Sequence, residues 1–492
     1  MSEHRPIQAA SPPGNYGHLP FRFTRLDTGK ILVTSEAGDF HVLDSSTFST
    51  FARREPLGDT GILRSLEAKH LLYKASPETA VRLLATKLRT RKSFLRGGPS
   101  LHIFVVTLGC DHGCHYCQVS RRLHSSGRYD MSFETATAAV DRLFDSPSQH
   151  LTVEFQGGEP LLAFPVIRHI VELIQARNVQ ERRQIVFSIT STLHHLTDEV
   201  LEFMRIHDFQ VSTSLDGPTD LHNANRPLPN GDAHALTVQG LQRARQVLGD
   251  ESLSAITTLT RRSLERPREI VDEYVRLGFR SIFLRPLSPY GFAKKSERRL
   301  GYTVQDYLGF YKAALGYVLE INRHGYLIEE AYAKILLSSI LTPFPTTYVD
   351  LRSPVGSGFG TLVYNYDGGV YASDEGRMLK EVGNNSLRLG SVTDSYQTLM
   401  RSPAMELLAA SGLAETLPGC SDCAFVPYCG PDPAGSLSRH GDPVGHRAES
   451  EHCQRHMGLF KILFGHLAEG APDTLRIFDD WVHGALSTAK AT

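Results

Sequence analysis

Residues 1–20 show no hydrophobic periodicity, mixing Gly, Pro and Ser among polar positions, and a mobile leader is expected there. From Phe21 short β-like runs take over: Phe21-Arg22-Phe23, Lys30 to Thr34, and Phe40 to Leu43 after a turn at Ala37-Gly38-Asp39. Apolar residues then fall at helical spacing around 63–73 and 77–88, where Val81, Leu84, Ala85 and Leu88 share a face. This pattern predicts a small domain over 21–97, a hairpin followed by helices, closing near Gly97-Gly98-Pro99.

Between residues 101 and 286 six β-like runs alternate with amphipathic helical patterns, which predicts an α/β fold with a parallel sheet. The runs lie at 101–106, 151–155, 185–190, 211–215, 254–259 and 281–284. Ile167, Ile170, Val171 and Ile174 form one apolar stripe, and Ser132 with Glu134 reads as a helix start. Six such units build an open, incomplete barrel or a doubly wound sheet, and periodicity does not choose between them. In both, loops at the strand C-termini carry the chemistry. Beyond residue 300 helical patterns at 304–321 and 330–341 suggest a bridge over 301–360. A β-like run at 361–366 and a turn at Asp367-Gly368-Gly369 follow, then a helix near 456–466 and a tail over 471–492.

With 492 residues, 41% of them hydrophobic, the chain is long enough for several domains and needs no stapled scaffold. The 52 basic residues against 53 acidic give no global excess that would favour nucleic acid. The local run Lys87, Arg89, Arg91, Lys92 and Arg96 reads as the solvated end of a helix and a linker, with a docking surface for an acidic partner as the lesser reading. No apolar run is long enough to span a bilayer, and the expected location is the cytoplasm. Seven cysteines in a reducing compartment point to metal or redox chemistry rather than disulfides.

Those cysteines fall into two groups. Cys110, Cys114 and Cys117 make C-x3-C-x2-C directly after the first β run of the alternating region. Three thiolates are one too few for a closed structural zinc site, which would need His112, His115 or a distant histidine; an iron–sulfur cube held by three leaves one iron open. One βα unit later comes Gln156-Gly157-Gly158-Glu159-Pro160, read either as a tight strand-to-helix turn or as backbone opened to a ligand, with Glu159 available to an ammonium. Cys420, Cys423, Cys429 and Cys453 supply four thiolates, enough to close a zinc or a 4Fe-4S site.

The cysteine loop, with Tyr116 before its last cysteine, and the Gly157 to Pro160 string resemble those of the radical S-adenosylmethionine enzymes. The resemblance implies a partial (β/α)6 barrel and a 4Fe-4S cluster on Cys110, Cys114 and Cys117 whose open iron chelates S-adenosyl-L-methionine, cleaved to a deoxyadenosyl radical. It assigns the cofactor contacts to Tyr116, Gln156, Gly157, Gly158, Glu159, Ser188, Ser214 and Arg285. Ser191-Thr192 stands where the family usually has Thr-Asn.

The second cysteine group resembles the C-terminal SPASM/twitch-like extension of peptide-modifying members. Ser373 and Pro433 occupy positions where the full extension carries cysteine, so one auxiliary cluster is expected, two clusters in all. Strings at 114–121, 214–227 and 284–293 resemble the B-type maturases of the His-Xaa-Ser peptide system. This implies a ribosomally made peptide substrate, a partner radical maturase and a low-potential flavodoxin or ferredoxin donor. Asp216 and Arg285 read equally as a buried ion pair or turn cap and as cofactor or substrate contacts. Asp350 and Asp374 are candidates for an acid or base near a substrate radical, but read first as ordinary surface or turn carboxylates. The N-terminal domain is a candidate for binding a leader peptide by strand addition. The alternatives are a maturase of protein side chains, of the sulfatase-maturating kind, and a non-catalytic zinc scaffold.

Overall fold

The computed structural model describes residues 16–123, 127–288, 290–346 and 348–484. The N-terminal unit is a three-stranded antiparallel meander, β1 (Phe21–Arg25), β2 (Ile31–Ser35) and β3 (Phe40–Leu43), followed by helices α1 (Ser45–Ala52), α2 (Thr60–Ala68) and α3 (Pro77–Arg91). Asp44, Asp59 and Ser76 cap the three helices through their side chains.

The expected leader is shorter than its polar composition suggested. Tyr16 and Leu19 are buried, and Gly17–His18 pairs with Leu72–Tyr73, so order begins before Phe21; the rest of the expected leader, residues 1–15, lies outside the described residues. The basic run is a solvated face only in part: Arg89 and Arg96 are exposed, whereas Lys87 pairs with Asp39 (2.7 Å) and Arg91 and Lys92 turn inward. Arg91 is buried and donates to the carbonyls of Ala37 (2.7 Å), Ser339 (2.8 Å) and Thr342 (3.1 Å), while Lys92 donates to Ser353 O (2.7 Å) and pairs with Glu415. These cations sew the N-terminal unit to the rest of the chain.

The central sheet carries six parallel strands: β4 (Leu101–Thr107), β5 (His150–Gly157), β6 (Gln184–Thr190), β7 (Gln210–Ser214), β8 (Leu253–Thr258) and β9 (Ser281–Arg285). Their spatial order follows their sequence order, which excludes the doubly wound alternative, since that needs a switch point. The intervening helices are α4 (Phe133–Phe144), α5 (Phe164–Glu181), α6 (Asp198–Ile206), α7 (Ala233–Leu248) and α8 (Pro267–Arg276). Along β5, Leu151, Val153 and Phe155 are buried with Ile167, Ile170, Val171 and Ile174 in the core, whereas Thr152, Glu154 and Gln156 alternate onto the other face. Each fully buried Ile or Phe contributes roughly 1.5–3 kcal/mol, and this layer leaves the polar face free to line a cavity.

After α9 (Val304–Arg323), a two-residue strand β10 (Glu329–Glu330) extends the sheet beyond β9, and α10 (Ala331–Leu341) follows. On the opposite side β11 (Thr361–Tyr364) pairs parallel with β4, and β12 (Gly369–Tyr371) and β13 (Arg388–Ser391) continue antiparallel, so ten strands form one sheet. Helix α11 (Asp374–Lys380) lies between β12 and β13; α12 (Pro433–His440), α13 (Glu451–Glu469) and α14 (Pro472–His483) follow further along the chain. The expected tail is corrected over its described part: Ile477, Phe478 and Trp481 of α14 are buried in the main core, and residues 485–492 lie outside the described residues.

Candidate active site

The cysteine loop is held by backbone contacts from two other stretches of chain. Gly113 N donates to Pro227 O (2.7 Å), His115 N to Asn225 O (3.3 Å), and Phe292 N to Cys117 O (2.8 Å). A Cβ on Gly291 would lie 2.5 Å from Gln118 O, so only glycine lets that turn close on the loop. The 222–227 and 290–293 stretches thus form the cradle of the cysteine loop.

Gly157 and Gly158 serve the same purpose. A Cβ on either would overlap the backbone oxygen of Thr107 or Gly109. Gly158 N donates to Thr107 O (2.9 Å) and Glu159 N to Gly109 O (2.8 Å), which ties the end of β5 to the loop carrying Cys110. Glu159 is fully buried and does not line the cavity; its carboxylate accepts from Ser191 Oγ (2.8 Å), Thr192 N (2.7 Å) and Leu161 N (3.0 Å). The expected ammonium partner is a clamp between the loops after β5 and β6.

Cys110, Cys114, Cys117, Tyr116, Gln156, Gly157, Gly158, Ser214 and Arg285 all line one cavity of about 300 Å³ at the strand C-termini. Ser188 does not. It pairs with Glu154 two residues before Thr190, and Thr190 with Ser191 and Thr192 takes the lining position at the end of that strand. Tyr116 donates its hydroxyl to Asp216 (2.8 Å) and accepts from Arg226 (2.8 Å). Asp216 also takes Thr258 N (3.1 Å), so it is a buried anchor, and no bond joins it to Arg285, which donates to Gln118 (3.4 Å).

Several lining groups escape sequence reasoning. Glu154, hydrogen-bonded by Gln156 (2.7 Å), Arg226 and Glu375 face the cavity; Asp350 and Asp374, the acid-or-base candidates, line it as well, so they are not ordinary surface or turn carboxylates. Asp374 is held by Arg377 at 2.8 Å. Burial and the charge of Asp432 push Asp350 up to about 6; burial with Asp350 and Asp374 pushes Glu375 up to about 8. Ser373, where a cysteine was expected, caps α11 by accepting from Gly376 N (3.1 Å), and Pro433 starts α12. Both departures serve as helix starts.

Three thiols on one wall, with carboxylates and guanidinium groups on the others, suit a cluster open on one side to a zwitterionic ligand. Among the described residues, the group whose ligand atoms lie within 4.8 Å of one another is Cys110, Asp111 and His112, not the three cysteines with a histidine that the zinc reading requires. Asp111 is already engaged by His112 (2.9 Å) and His195 (3.0 Å). Cys420, Cys423, Cys429 and Cys453 perturb one another electrostatically: burial first, then the other three thiols, pushes Cys429 well above the usual range, and Arg447 opposes it. Cys423 Sγ accepts from Phe425 N at 3.5 Å, and Cys453 lies in the first turn of α13.

Residues 104–274 match the family model of the radical SAM superfamily. Among curated proteins, the chain is 30% identical over 193 residues to an uncharacterized protein of Methanothermobacter thermautotrophicus, covering 39% of this chain and 69% of that one. It is 26% identical over 253 residues to a cysteine-type anaerobic sulfatase-maturating enzyme of Clostridium perfringens, 49% of this chain and 66% of that one. The chain spans about two thirds of the length of the curated relatives it matches. Its fold is similar to that of anSMEcpe solved with bound AdoMet (TM-score 0.61, 19% identity, 75% and 98% covered). It is also similar to Streptococcus suis SuiB bound to precursor peptide SuiA (TM-score 0.52, 15% identity, 88% and 98% covered). The chain belongs to the radical SAM superfamily, whose fold implies a 4Fe-4S cluster and S-adenosylmethionine.

Proposed function

We propose that this protein is a peptide maturase of the His-Xaa-Ser B type, using a hydrogen-atom abstraction to modify a ribosomally made peptide. The observation that carries this reading is the shape of the interior. The cysteine-lined cavity adjoins a second one of about 120 Å³, sharing Arg285, Asp350, Ser357 and Glu375, so space continues from the cysteine loop toward α12 and α13. A chain of residues fits such a run better than a compact metabolite does.

Cys110, Cys114 and Cys117 would hold the cluster, with Arg226, Ser214 and the backbone at Gly157 and Gly158 beside its ligand. When bound, that group supplies one-electron cleavage of the sulfonium and so the power to remove an unactivated hydrogen. The chain's own part is to orient and exclude. Tyr116, fixed between Asp216 and Arg226, walls the cavity, and Asp350 and Glu375 stand where a substrate proton could be held. The four C-terminal thiols would hold a second, closed cluster, and a flavodoxin or ferredoxin would supply the electron in the cytoplasm. The outer strands β1 and β3 each leave an edge unpaired by another strand of their sheet, and Phe23 is exposed on β1, which supports leader binding there.

The test is anaerobic incubation with S-adenosylmethionine, dithionite and the small peptides encoded beside the gene. 5′-Deoxyadenosine with a mass change in one such peptide is expected. Turnover only on a peptide from a sulfatase maturation site would favour the second reading, which the Clostridium perfringens relative supports.

A further inference from the structure

A third cavity, about 730 Å³, opens between the 286–307 stretch and helices α12 and α13. It shares Pro286, Leu287, Ser288 and Arg455 with the 120 Å³ cavity, which in turn joins the cysteine-lined one. The three adjoin one another in a row ending at the cysteine loop, and Arg455 on α13 lines both outer ones.

The charges along this row are unevenly satisfied. Arg439 takes both nearby glutamates, Glu451 at 2.6 Å and Glu297 at 3.9 Å. Asp306 is spent capping α9 at Thr303 N (3.0 Å), and Asp432 caps α12 at Gly435 N (2.8 Å). Arg261 donates to Gly301 O (2.8 Å) and faces the charge of Asp306, and Lys294 donates to Ser438 O (2.6 Å). Arg455 makes no hydrogen bond or ion pair among the described residues, although it is half-buried beside Tyr302, Tyr332 and His456. Glu265, at the outer wall, is the remaining acid of the large cavity. Among the described residues, Arg455 is thus the guanidinium of the two outer cavities left without a hydrogen bond or ion pair, and it stands where they meet, the inner one being lined also by Asp350, Glu375 and Asp432.

We propose that Arg455 is a specificity residue, binding a carboxylate of the substrate peptide as it threads toward the cysteine loop. A guanidinium in a confined cavity is suited to a planar, two-point pair with a carboxylate, and binding would replace the lost hydration. The inference rests on the peptide reading above and adds to it that an acidic residue flanks the modified position.

The experiment uses iron-loaded protein and two fluorescein-labelled, end-blocked heptapeptide mixtures, degenerate except for a central Asp or a central Asn. Wild type is expected to bind the Asp mixture about five-fold or more tighter by anisotropy, with added acetate failing to displace it. Arg455→Gln is expected to lose that preference with unchanged iron and sulfide, and Arg455→Lys to keep part of it. Equal binding of both mixtures by wild type, or a preference that survives in an iron-replete Arg455→Gln, overturns the assignment; displacement by acetate overturns the peptide in favour of a small acid. An Asp preference in a protein that never cleaves S-adenosylmethionine would instead sink the radical reading and leave Arg455 standing.

Discussion

Glu159 and Thr192 are joined by a 2.7 Å hydrogen bond from the Thr192 backbone to the buried carboxylate, and this contact locks the loop after β5 to the loop after β6. Glu159→Ala would strand Thr192 N, Leu161 N and Ser191 Oγ in a closed space. A loss of about 2–4 kcal/mol in urea unfolding is expected, against less for Glu159→Gln, which keeps an acceptor. Equal stability of the alanine variant would show that the clamp is dispensable.

The two glycines beside it act on the cysteine loop. Gly158→Ala forces backbone apart at Gly109, so loss of roughly one 4Fe-4S cluster per chain is expected, with the C-terminal site still loaded. Iron counts and electron paramagnetic resonance after reconstitution check this; a full complement of iron would contradict it.

Asp350 and Glu375 give the fold a pH dependence. Both carboxyls are raised, so the folded protein binds protons that the unfolded chain has released. Their contribution is complete below about pH 4 and is lost as pH rises through about 6 for Asp350 and about 8 for Glu375. The double variant Asp350→Asn/Glu375→Gln is expected to lose less stability than wild type between about pH 5 and 8, read from urea midpoints. Parallel curves would contradict the assignment.

Much of the scaffold was legible in the sequence because each of the six parallel strands buries an apolar face and is followed by a helix with its own stripe. Their winding was not legible, since open barrel and doubly wound sheets share that pattern. The cysteine loop was legible because its three sulfurs lie within eight residues of sequence. Glu159 was misread because its partners Ser191 and Thr192 lie more than thirty residues away, and a free carboxylate and a clamped one look alike in sequence. Asp350, Glu375 and Arg226 reach the cavity from separate loops and helices, with no spacing to connect them. Tyr16 and Trp481 are buried although they lie in the stretches read as a leader and a tail.

Arg91 offers a separate check on the domain seam. Arg91→Met leaves the carbonyls of Ala37, Ser339 and Thr342 without their donor, and destabilisation by about 2–4 kcal/mol is expected, with faster tryptic cleavage near Lys92 and Arg96. Unchanged proteolysis would mean that the N-terminal unit is held mainly by other contacts.

The most direct measurement of the central claim is iron, acid-labile sulfide and zinc after anaerobic reconstitution, in wild type and in Cys110→Ala/Cys114→Ala/Cys117→Ala. The account predicts about eight irons per chain in wild type and about four in the variant, with S-adenosylmethionine cleavage abolished in the variant. Stoichiometric zinc with no sulfide, and no cleavage by wild type, would contradict it.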